Sequence, residues 1–175
     1  MILDAGAGSG AFLKDFLHKN PNWSGVFCDL PDVVARARGN PEFSQLLSRM
    51  TFVALNLLEE VNGPIPAQAD ILLCSNLVHC QGSEETHGLL SRLARMVTPS
   101  GCLIIHDFFT DQGPRGALYD LHMMLNTYNG RTYTMDQVRD MMDSLGFFCR
   151  RVLNLASSSI ALVFSRQEIR PDFFI

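Results

Sequence analysis

The chain has 175 residues, 47% of them hydrophobic and 18% charged, and a formal net charge of -4. This balance fits one soluble globular domain with a sizeable core, and mild acidity without a run of Lys or Arg excludes an electrostatic footprint for nucleic acid or an anionic membrane surface. The five cysteines, Cys28, Cys74, Cys80, Cys102 and Cys149, are odd in number and never spaced as CxxC, which argues against a disulfide framework or a zinc site and for a reducing, cytoplasmic setting.

The chain opens on an apolar strand over 2–4, passes through a glycine-rich segment and enters a helix over 11–19. A second strand, 24–28, ends at Asp29-Leu30-Pro31, and the proline starts a helix over 31–38. Strands follow over 51–55 and 70–75, then a helix over 83–97. The turn Pro99-Ser100-Gly101 hands that helix to a strand over 102–107. Helices over 115–128 and 135–145 come next. The second is opened by Thr134 with Gln137 three residues on, a capping-box variant, and is closed by Gly146.

The last strands, 147–155 and 159–165, are joined by Ala156-Ser157-Ser158, too short for a parallel crossover, so they form an antiparallel hairpin at the sheet edge. No apolar run reaches the roughly 18 residues of a membrane span, and the start Met1-Ile2-Leu3-Asp4 lacks the basic stretch of a signal peptide. The alternation predicts one α/β domain over 1–175: a Rossmann-like, seven-stranded, mostly parallel sheet with a C-terminal antiparallel hairpin and helices on both faces. Because the first strand begins at residue 2, a covering helix is expected upstream of it.

Ile2-Leu3-Asp4-Ala5-Gly6-Ala7-Gly8-Ser9-Gly10 is a strand, an acid and a set of glycines opening a helix. Glycines allow a tight turn and let a ligand reach bare backbone, and the helix N-terminus offers free N–H groups. The segment also satisfies a dinucleotide fingerprint, with Asp29 where a ribose-binding acid belongs. Asp4 separates the two readings: a carboxylate two residues before the first glycine repels a pyrophosphate and suits a ligand that is cationic at that end. A nicotinamide-dependent oxidoreductase is further disfavoured by the closing hairpin and by the absence of a Tyr-x-x-x-Lys pair. His79 follows the fourth strand, at the carboxyl edge where open α/β sheets bind ligands, and an ordinary His pKa suits proton transfer near neutrality. Asp107, ending the fifth strand, is a candidate to orient it or a turn cap. His106-Asp107 is only superficially like a metal pair, and no metal site is expected.

Four segments in this order resemble the plant-type and bacterial small-molecule O-methyltransferases. They are Leu3 through Gly10, Phe27-Cys28-Asp29-Leu30-Pro31, Asn76-Leu77-Val78-His79, and Asp120 through Thr134 leading into Leu145-Gly146-Phe147. The resemblance implies S-adenosyl-L-methionine as cofactor, with Asp4, Gly6 and Gly8 at its methionine end, Asp29 on the ribose hydroxyls, Leu30 against the adenine, and Leu57 and Ser75 in the cofactor site. Asn56 stands where the family places an acid toward the adenine. His79 matches the general base, and Met123 and Thr127, with Asn126 beside them, match positions that contact a small-molecule acceptor, although Met123 reads equally as core. The chain departs from the family in carrying Cys80-Gln81-Gly82 where Asp-Trp usually follows the His, and Thr132 near where plant enzymes carry an acid. The family's N-terminal helical dimerisation region is not among these residues; joined to it, a homodimer is implied. A domain that binds without turnover is the alternative these departures support.

Overall fold

The computed structural model describes residues 1–59, 68–155 and 159–169. The strands are β1 (Ile2–Ala5), β2 (Gly25–Asp29), β3 (Met50–Ala54), β4 (Ala69–Ser75), β5 (Val97–Asp107), β6 (Phe148–Asn154) and β7 (Ile160–Ser165). The helices are α1 (Ala11–Lys19), α2 (Pro31–Arg38), α3 (Ser83–Arg95), α4 (Pro114–Asn126) and α5 (Met135–Ser144). Among the described residues the strands form one seven-stranded sheet, ordered β3-β2-β1-β4-β5-β7-β6. β1 to β5 run parallel, and β7 pairs antiparallel with both β5 and β6.

This is the mixed sheet expected, with β7 inserted between β5 and the edge strand β6. The expected connector Ala156-Ser157-Ser158 lies outside the described residues. No helix among the described residues is long and apolar enough to cross a membrane.

Strand alternation sorts side chains into two cores. Leu3, Ala5, Val26, Cys28, Leu72 and Leu103 face one side, where α3 and α5 supply Leu89, Leu93, Val138 and Met142. Ile2, Phe27, Ile71 and Cys102 face the other, where α1 supplies Leu13 and Leu17, and α2 supplies Val34. Leu13 and Leu17 are each worth about 1.5–3 kcal/mol as fully buried aliphatic side chains. By the same alternation Asp4 shares the face of Ile2, so a carboxylate points toward α1 in an otherwise apolar layer.

The fifth strand is the main revision. It begins at Val97 rather than 102, and α3 stops at Arg95 rather than running to 97. Pro99 disfavours helix at the residue before it, and Val97 instead pairs with Ala69 ahead of a register shift in β4. The Thr134 cap behaves as its sequence indicates: Gln137 N–H donates to Thr134 Oγ1 at 3.1 Å, and Thr134 N–H donates to Gln137 Oε1 at 2.9 Å.

Candidate active site

The order β2-β1-β4 places the carboxyl ends of these strands at the point where the connections diverge, the position at which open α/β sheets form a crevice. A cleft of about 180 Å³ lies there, lined by Gly6, Asp29 and Leu30 after β1 and β2, by Leu55, Asn56, Leu57 and Leu58 after β3, and by Leu77 and Gln81 after β4. Asp29 shapes the loop: its carboxylate accepts from Gly8 N–H and from Leu30 N–H, each at 2.7 Å. Each oxygen retains a further lone pair. Leu30 is exposed beside it, whereas Leu57 is buried.

Asn56 is engaged locally, its amide donating to Glu59 Oε1 at 2.8 Å and its oxygen accepting from Leu58 N–H at 3.1 Å. Asp4 is buried, and its Oδ2 has no hydrogen-bond partner among the described residues. Burial first, and then the nearby Asp29 charge, push its carboxyl up to about 7.

A short 3-10 turn, Val78–Cys80, follows β4 and carries His79. The residues flanking this turn line the cleft while His79 is buried against the end of β5. Its Nδ1 lies 2.5 Å from Asp107 Oδ1, its main-chain N–H donates to Asp107 Oδ2 at 3.3 Å, and Phe108 N–H donates to Asp107 Oδ1 at 2.8 Å. Burial alone lowers the imidazole pKa, but the hydrogen bond to Asp107, reinforced by Cys80, outweighs it and raises the group to about 9. The ordinary value assumed from sequence is therefore revised: the resting ring is protonated at neutral pH. With Nδ1 committed to Asp107, Nε2 is the ring nitrogen left to meet a ligand.

Of the expected cofactor residues Asp4 and Gly8 do not line the cleft, and the remaining expected residues are employed elsewhere. Ser75 does not line the cleft; its hydroxyl lies 2.7 Å from His106 Nδ1, and His106 Nε2 lies 2.8 Å from Ser159 Oγ, clipping β4, β5 and the approach to β7 together. Met123 is core. Asn126 donates to the His122 carbonyl at 2.7 Å, and Thr127 Oγ1 donates to the Met123 carbonyl at 2.7 Å while accepting from Gly130 N–H, so both side chains finish α4.

Two contacts at His79 were missed from sequence. Arg131 N–H donates to the His79 carbonyl at 2.9 Å. Gly130 makes this approach possible, because a Cβ there would lie 2.7 Å from that oxygen. Tyr119 Oη is 3.4 Å from His79 Nε2. The Gly130-Arg131-Thr132 run was a visible signal for the first. Nothing local marked Tyr119.

A glycine loop after β1, an acid ending β2 and a histidine beyond β4, on a sheet closed by an antiparallel strand, define a Rossmann-like α/β domain with its polar residues gathered at the carboxyl edge. A family profile described as an O-methyltransferase domain matches residues 1–148, and the chain belongs to this family. It is 28% identical over 150 residues to 3-amino-4-hydroxybenzoate 4-O-methyltransferase of Streptomyces cremeus, covering 84% of this chain and 40% of that protein. It is 27% identical over 172 residues to aclacinomycin 10-hydroxylase RdmB of Streptomyces purpurascens, covering 95% of this chain and 45% of that protein. The structure of an O-methyltransferase family protein from Burkholderia thailandensis superposes with a TM-score of 0.84 at 24% identity, covering 95% of this chain and 51% of that one, and shares the fold. The chain spans less than half the length of these curated relatives.

Proposed function

We propose that residues 1–175 are the S-adenosyl-L-methionine-binding catalytic domain of an enzyme that methylates a hydroxyl on a small aromatic or polyketide-like molecule, with His79 as general base. The observation that carries the reading is the turn after β4: its flanks, Leu77 and Gln81, line the cleft beside the glycine loop, and the turn itself holds a buried His with Nδ1 fixed by Asp107.

The cleft fits the cofactor. The unpartnered buried oxygen of Asp4, two residues before the glycine loop, suits an ammonium group; Gly6 lines the cleft, and a Cβ on Gly8 would meet only open space. Asp29 has lone pairs left for vicinal hydroxyls, Leu30 and Leu57 offer apolar surface for a purine, and Asn56 retains donor and acceptor capacity for its edge. When bound, S-adenosyl-L-methionine supplies an electrophilic methyl group on sulfur.

The chain's own part is positioning and proton transfer. The loop after β1 and the turn after β4 hold two ligands side by side, which accounts for most of the rate in a displacement of this kind. Neutral His79 takes the proton of the acceptor hydroxyl at Nε2, a contribution of about 10²–10⁴. Asp107 fixes the ring and stabilises the imidazolium that forms. Since His79 must be unprotonated to act and its resting pKa is about 9, kcat/KM rises with pH and levels off only above that value. The scattered free cysteines support a reducing, cytoplasmic setting.

The test is incubation of the chain with S-adenosyl-L-methionine carrying a trideuterated methyl group and a panel of hydroxylated aromatics, read by mass spectrometry. Transfer of the intact labelled methyl to an acceptor oxygen is expected. Gain of an oxygen atom instead would place the chemistry with the hydroxylase relative, and binding of both ligands without any product would mark a domain that does not turn over.

A further inference from the structure

His79 Nε2 is not empty-handed in the resting site. Tyr119, on α4, brings its hydroxyl to 3.4 Å from that nitrogen, with its ring edge-on to the imidazole at a centroid distance of 5.2 Å and an interplanar angle of 89°. The tyrosine ring is held in turn by Phe108, at 4.4 Å, immediately after the carboxylate that fixes Nδ1. The base is therefore bracketed: Asp107 on one ring nitrogen and a phenol on the other.

The phenol is the chemical group that the proposed reaction brings to the same nitrogen. At 3.4 Å the hydrogen bond is long and correspondingly weak, because such contacts lose strength beyond about 3.2 Å. A weak occupant of this kind satisfies a buried polar atom in the absence of ligand and yields to a better-placed one.

We infer that Tyr119 is a positioning residue that caps His79 Nε2 with its own hydroxyl in the resting site, so that an acceptor hydroxyl must displace it and the site is selective for phenols able to do so. This rests on the reading of His79 as the group that meets the acceptor. The Tyr119 and acceptor hydroxyls exclude one another at Nε2. The tyrosine ring, by contrast, stays useful after displacement as an aromatic wall beside the base, and removing the ring is thus a different change from removing its hydroxyl.

Tyr119→Phe separates the two, since it keeps the ring contacts with His79 and Phe108 and deletes only the cap. The experiment titrates unsubstituted phenol into the whole chain and into Tyr119→Phe, following the imidazole signals of His79 by heteronuclear NMR below pH 9, with S-adenosyl-L-methionine affinity measured alongside. The His79 Nε2 resonance is expected to differ between the two unliganded proteins. Phenol is expected to perturb His79 in both and to bind the variant more tightly by roughly two- to tenfold, the span of one ordinary hydrogen bond, with cofactor affinity unchanged.

A merely structural tyrosine would leave the Nε2 resonance and phenol affinity where they are, and that result overturns the inference. So does a failure of phenol to perturb His79 in either protein. Because no turnover is needed, the two readings can fail separately. Tighter phenol binding with no methyl transfer would leave the cap standing and remove the proposed activity. Methyl transfer with unchanged phenol affinity would do the reverse.

Discussion

The two sides of the turn after β4 are prepared in opposite ways. Around the glycine loop, polar capacity is left open: buried Asp4 Oδ2 has no partner among the described residues, and Asp29, which lines the cleft, keeps lone pairs. On the His79 side it is closed. Asp107 takes one ring nitrogen, Tyr119 approaches the other, and Asn126 and Thr127 spend their side chains finishing α4. A buried group left unsatisfied costs free energy that a ligand can recover, so under the proposed function the first side is completed by a tightly held molecule. The second must be rearranged by its ligand, as suits an acceptor that comes and goes.

The sharpest way to break this division is His79→Ala. Turnover should fall by about 10²–10⁴ while calorimetric cofactor affinity stays within a few fold; a comparable loss of cofactor binding would show that the two sides are one.

Two glycines of the same loop probe the cleft side next. A Cβ on Gly10, at φ 72°, would meet Phe43 at 2.6 Å and Phe27 at 2.8 Å, whereas one on Gly8, at φ 57°, would meet nothing within 4 Å. Gly10→Ala should cost about 2–4 kcal/mol of folding stability. Gly8→Ala should cost about 1–2 kcal/mol yet weaken cofactor binding roughly tenfold or more. Chemical denaturation paired with titration distinguishes them, and equal effects on both quantities would deny that Gly8 faces a ligand.

A smaller effect concerns pH. The His79 pKa is raised from 6.5 to about 9, so its pairing with Asp107 stabilises the fold fully below 6.5 and ceases to do so as pH rises through about 9. Asp107→Asn should flatten that part of the stability profile, as read from urea midpoints between pH 6 and 10; an unchanged slope would mean another group governs it. Thr134→Ala should lose about 1 kcal/mol through its helix cap and leave both ligands' affinities alone, which makes it the control for stability effects in general.

What was legible in the sequence were features written over a few neighbouring residues. The glycine loop, Asp29-Leu30-Pro31, the Thr134 capping box and the position of His79 beyond a strand all depend on short-range spacing. The features that were not legible depend on register and packing. Asp107 stood as one of two readings because its approach to His79 is set by the pairing of β4 with β5, Ser75 opposite His106. The early start of β5 depends on Val97 finding Ala69. Ser75 was matched to the cofactor by resemblance, but that same register delivers it to His106. Tyr119 reaches His79 from 40 residues further along the chain, and no motif records that. The raised His79 pKa follows from the same long-range pairing.

The central claim of the proposed function is that a cation is held on Asp4, the buried acid of β1 just before the glycine loop. Its most direct test is calorimetric titration of S-adenosyl-L-methionine into the chain and into Asp4→Asn at pH 6 and pH 8, with NADH as control. The Asp4 carboxyl is held at about 7 by burial, and only its ionised form attracts an ammonium group, so wild-type affinity should be higher at pH 8 than at pH 6. The variant should bind more weakly and lose that pH dependence, and NADH should not bind. Equal affinities of wild type and Asp4→Asn at both pH values, or tighter binding of NADH, would contradict the account.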